Sequence, residues 1–159
     1  MNKILFIVFF VSLCALVYRS EGKDVKNFWA EKEKIEIEFQ NKVAELLLQK
    51  APEYKKIIEK NRDLGIELNK LADQMNSLVE NEPGNNRKNK EDLLKIPGYT
   101  NLEEQAKKLF NKIQREADPE KIREILNRPD INPEFLKLYN EVEEKIRDIA
   151  EQYHPTNRQ

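Results

Sequence analysis

Apolar residues between Tyr54 and Val79 recur in alternating steps of three and four: Tyr54, Ile57, Leu64, Leu68, Leu71, Met75 and Leu78, with Asn61 in the same line. That spacing keeps them on one seam of an α-helix. A second line at heptad spacing, Ile58, Gly65, Ala72 and Val79, broadens the apolar face. At about 1.5 Å per residue this helix is roughly 40 Å long, so elements of similar length must cover it.

The same period predicts three further long helices. From Val25 to Lys50, with Asp24 as N-cap, the residues Val25, Phe28, Ile35, Phe39, Val43 and Leu46 run down one side. Ala30, Ile37, Ala44 and Leu48 lie roughly opposite, which makes this helix apolar on two sides and requires that it be sandwiched, inside the fold or by a partner. The alternation Ile35 to Phe39 (IEIEF) is strand-like, but the helical period on either side outweighs it. The next helix carries Leu102, Ala106, Leu109 and Ile113, with Phe110 beside them, and stops near Asp118. Thr100 or Asn101 is its expected cap, with Glu103 or Glu104 returning the bond of a capping box. The last helix, from Pro133 or Glu134 to Tyr153, has the seam Phe135, Tyr139, Val142, Ile146, Ile149, Tyr153.

The connections follow from their turn residues. Pro52 pushes Ala51 out of helical dihedrals and fits the first turn of a new helix. A tight αα-hairpin is expected there; a single kinked rod is the competing geometry, because the two seams run nearly in phase across the join. Residues 81–92 form a flexible polar loop, whose Arg87, Lys88 and Lys90 are read as solvated. Leu93, Leu94 and Ile96 make a short helical turn before a Pro97–Gly98 type II turn. Pro119 opens a short helix with Ile122, Ile125 and Leu126, and Asn127 to Pro133 is a double-proline turn. The expected fold is all-α: an antiparallel helical bundle of about four long helices with short helices in the connections, formed by residues 23–159 as one domain with a frayed tail at 154–159.

Ahead of this domain, Ile4 to Tyr18 is an apolar run broken only by Ser12 and flanked by Lys3 and Arg19. It is short for a bilayer span, which needs about 20 residues, and suits the centre of a signal peptide. Ser20 and Gly22 place small residues before a cut ahead of Lys23, so residues 1–22 are expected to be a cleaved signal peptide and the product secreted or periplasmic. An N-terminal membrane anchor is the alternative, and a lipoprotein cut ahead of Cys14 the third reading.

Composition narrows the chemistry. Charged residues make up 36% and hydrophobic ones 39%, with 4 Gly and 7 Pro, as expected of a helical domain. The 28 Lys and Arg nearly balance 29 Asp and Glu, so no net field attracts nucleic acid. After cleavage no cysteine and a single serine, Ser77, remain, and His154 is the one histidine. That excludes a disulfide framework, an ordinary zinc or copper site and a serine or cysteine nucleophile with its base. A histidine near the end of an exported helical bundle resembles the periplasmic four-helix b-type cytochromes in architecture. That likeness implies a methionine ligand on the first helix, and Val25 to Lys50 has none, so no cofactor is expected. The acidic residues Glu31, Glu33, Glu36 and Glu38, interleaved with lysines, are read as a solvated face of ion pairs.

The functional expectation is a non-enzymatic protein-binding module, in a chaperone-like, inhibitor or envelope-interaction role. It would act on a protein partner or a second copy of itself through a helix face. Trp29, Ile37 and Leu48 are its candidate contact residues. A lipid- or haem-binding bundle, or a hydrolase with an unrecognised site, is the alternative.

Overall fold

The computed structural model describes residues 25–80 and 90–153, and among them all regular structure is helical. The expected signal peptide, most of the polar loop, His154 and the tail lie outside the described residues. The helices are α1 (Val25–Lys50), α2 (Lys55–Glu80), α3 (Lys90–Leu94), α4 (Tyr99–Glu116), α5 (Pro119–Leu126) and α6 (Asn132–Tyr153), with a 3₁₀ turn at Pro52–Tyr54.

Pro52 makes a hairpin. Ala51 leaves helical dihedrals at φ −144°, ψ 56°, its N–H closes α1 onto the Leu47 carbonyl at 2.7 Å, and Tyr54 N–H donates to the Ala51 carbonyl at 3.1 Å. The chain reverses within these few residues, and α2 returns along α1.

Packing runs in the order α4, α2, α1, α6, with antiparallel neighbours. Lys60 meets Glu116 and Gly98 approaches Leu78 along α2 and α4; Lys50 meets Glu134 and Glu31 meets Tyr153 along α1 and α6. The outer helices α4 and α6 make no comparable contact with each other. The position of α1 between α2 and α6 accounts for its second apolar side at Ala44 and Leu48, whereas Ala30 is exposed and Ile37 half-buried. Ala44, on that second side, is buried, and Leu48 packs against the largest core cluster.

That cluster fills the hairpin end, where Phe39, Val43, Leu46 and Leu47 of α1 meet Ile58 of α2, Ile122, Ile125 and Leu126 of α5, Ile131, and Val142 and Ile146 of α6. A second joins Leu64 and Leu68 of α2 to Leu109 and Ile113 of α4 and to Ala117. A third holds Phe28, Trp29 and Ala150 at the opposite end.

The turns are local chemistry. Ile96 to Tyr99 is the expected type II turn: Gly98 sits at φ 85°, ψ −15°, and Tyr99 N–H donates to the Ile96 carbonyl at 3.1 Å. The helix therefore starts at Tyr99, ahead of the expected caps, and Gly98 takes the N-cap position without a side-chain bond, so no Thr100 or Asn101 capping box forms. Asp118, at φ 41°, caps α5 by accepting from Lys121 N–H at 3.2 Å, with Pro119 in its first turn.

Candidate functional site

Where α1 faces α2 beyond the hairpin core, the interface changes from apolar to polar. Lys32, Glu36 and Gln40, four residues apart on α1, share one face. Asn69 and Asp73 on α2 share another, one turn beyond Gly65. All five polar side chains are buried, Lys32 with 0% of its surface exposed and Glu36 with 1%.

Lys32 is the centre. Its ammonium donates to Glu36 Oε1 one turn on and, at 2.8 Å, to Asp73 Oδ1 across the interface. It also lies 5.3 Å from the centroid of the Trp29 ring, a cation–π distance. Gly65 leaves room for the Gln40 amide, whose atoms stand 3.6 to 3.7 Å from where a Cβ would be. Trp29 roofs this seam. Its indole N–H donates to Glu80 Oε2 at 2.8 Å, and its ring meets Phe28 edge to face at 5.1 Å.

Burial dominates the electrostatics. Desolvation pushes the Glu36 carboxyl up to about 8; Lys32 opposes this, while the charge of Asp73 adds to the rise. Asp73 is raised as well, chiefly by burial, against the pull of Lys32. Three buried oxygens, Glu36 Oε2, Asp73 Oδ2 and Asn69 Oδ1, have no hydrogen-bond partner.

The solvated acidic face is thus corrected at one position. Glu33 pairs with Lys70 and Glu38 with Lys42 and Lys145 at the surface, and Glu31 accepts from the Tyr153 hydroxyl at 2.5 Å, but Glu36 points into the interior. The helical spacing of Lys32 and Glu36 was visible in the chain as an i, i+4 pair. Nothing in that spacing separates a buried pair from an exposed one, because the deciding partner, Asp73, is 41 residues away.

Of the proposed contact residues, Trp29 is buried over the polar seam, while Ile37 and Leu48 are half-buried on α1. The structure brings neither of the latter to the Lys32 cluster. Among the described residues, no group of His, Cys, Asp and Glu is placed to hold a metal ion. No family model, no curated protein and no solved structure matches the chain.

Proposed function

We propose that the protein is an exported, non-enzymatic helical module that binds a protein partner or a second copy of itself through a helix face, built as an antiparallel bundle of about four long helices. The reading of export rests on the apolar run Ile4 to Tyr18 and on Ser20 and Gly22. The observation that carries the binding reading is the packing order. Helices α1 and α2 each hold a long neighbour on two sides, whereas α4 and α6 are held by one long helix each. Apolar side chains remain at the surface, with Leu136 of α6 48% exposed and Leu94 45% exposed, and Ile37 is half-buried on the flank of α1. Ile37 and the accessible edge of Leu48 form the contact flank in this reading, and Trp29 supports it by fixing the start of α1.

Ile37→Glu tests this. The expected result is loss of self-association in sedimentation, or of a cross-linked partner in the exported fraction, with melting temperature changed by no more than a degree or two. Association unchanged by the substitution removes Ile37 from the contact, and a large loss of stability assigns it to the core.

A second reading, the hydrolase or ligand-binding alternative, has one observation in its favour: two carboxyls displaced upward beside an ammonium, the kind of perturbed group that acid–base chemistry uses. All three are nearly sealed, so that chemistry requires the helices to part.

A further inference from the structure

We propose that Lys32, Glu36 and Asp73 form a proton-binding site that latches α1 to α2, holding one proton between the two carboxyls and loosening the helix pair when that proton leaves. Geometry and charge carry this. One ammonium faces two carboxyls in a sealed interior, and it reaches one oxygen of each. The remaining oxygens, Glu36 Oε2 and Asp73 Oδ2, are buried and lack partners as acceptors. A proton on Glu36 turns one orphan acceptor into a donor toward Asp73, and the set becomes Lys⁺, Asp⁻ and neutral Glu, with no net charge. Its loss leaves two carboxylates against one cation, a net buried negative charge with both orphan oxygens unsatisfied.

Among the described residues no second cation is in contact with the cluster. On α1, Glu33 adds negative field at Asp73 and its own partner is Lys70 of α2 at 3.6 Å. From α2, Asn69 is neutral and Glu80 is bonded to the Trp29 indole. From α6, Lys145 pairs with Glu38 and Tyr153 with Glu31. From α4, whose antiparallel run sets Glu103 opposite this stretch of α2, Glu103 pairs with Lys107 at 3.1 Å. Compensation for the departing proton must therefore come from water, which requires α1 and α2 to separate at this end.

The pH window follows from the direction of the displacement. Unfolded, Glu36 releases its proton near 4.5; folded, it keeps it up to about 8. Between these values the folded state binds more protons than the unfolded one, so stability falls as pH rises through the window and levels off above it. Asp73, also raised, acts in the same direction.

The test uses the full-length protein. Trp29 is the sole tryptophan and lies over Lys32, so its fluorescence reports the latch directly. Melting temperature should fall progressively from about pH 5 to about pH 8, with a fluorescence transition near the upper end. Glu36→Gln, whose amide can donate to Asp73 and accept from Lys32, should flatten the melting profile and abolish the fluorescence transition. If Glu36→Gln does not fold, Asp73→Asn, which leaves one carboxylate for Lys32, should flatten both readouts. In ¹³C-glutamate-labelled wild type, one carboxyl carbon should titrate near pH 8. A flat wild-type profile, a variant that keeps the wild-type slope, or carboxyl carbons that all titrate in the ordinary glutamate range overturns the proposal.

Discussion

Toward the hairpin, α1 and α2 meet through Val43, Ala44, Leu47 and Ile58; toward the Trp29 end the same two helices meet through Lys32, Glu36, Gln40, Asn69 and Asp73. The apolar half gains from burial without regard to direction, and each of its large side chains stabilises by about 1.5 to 3 kcal/mol. The polar half repays its desolvation only where donors meet acceptors. A slip of one helical turn, about 5.4 Å, would still leave apolar groups touching near Ile58, but it would part Lys32 from Asp73. One half supplies cohesion and the other fixes which turn of α1 lies against which turn of α2, the register role that buried polar groups play in coiled coils.

The largest effect expected from breaking this arrangement is at Lys32. Lys32→Met keeps most of the volume and removes the cation, leaving two buried carboxyls. Breaking a buried pair by removing one partner costs about 3 to 5 kcal/mol. Because both carboxyls must then be protonated to stay buried, the loss should grow as pH rises. Urea unfolding of the variant at several pH values measures this, and a loss under about 1 kcal/mol at neutral pH would show that the cluster is not desolvated.

The apolar half offers the control. Leu47 is buried in the largest core cluster, and Leu47→Ala should cost about 3 kcal/mol through lost transfer energy and a residual cavity. No ionisable group is involved, so its cost should be the same at pH 5.5 and pH 8.5. A cost that varied with pH as that of Lys32→Met does would mean that the two halves are not separable.

The chain's local patterns announced the helices and turns more clearly than the site. The heptad line of α2, the Pro52 break, the Pro97–Gly98 turn and the Pro119 start are all short-range signals, set by side chains within a few residues. The Gly98 cap was missed because a type II turn and a capping box compete for the same residues, and left-handed glycine ended the contest two or three residues early. Lys32 and Glu36 were misread because an i, i+4 ion pair has the same spacing in water and in a core. The informative residue was Asp73, an acid placed among apolar neighbours of α2, whose helical phase puts it in line with Asn69 and Gly65 on the side facing α1. Three polar or small residues at four-residue spacing on a long amphipathic helix, matched by three on its partner, were the available sign.

The smallest expected effect lies at the boundary between the halves. Gly65 is buried inside α2, and a mid-helix glycine is worse than alanine by about 0.5 to 1 kcal/mol in backbone entropy. An added methyl would meet Gln40 Oε1 at 3.6 Å and its Cδ and Nε2 at 3.7 Å, ordinary van der Waals contact, so space alone does not demand glycine here. Gly65→Ala is therefore expected to stabilise by about 0.5 kcal/mol, the entropy gain less whatever the Gln40 amide loses in freedom. Thermal unfolding measured beside the wild type resolves such a change. Destabilisation by about 1 kcal/mol or more would show that the Gln40 amide cannot yield by even a few tenths of an ångström. The polar seam would then extend rigidly to Gly65, and the apolar half would begin only at Val43 and Ile58.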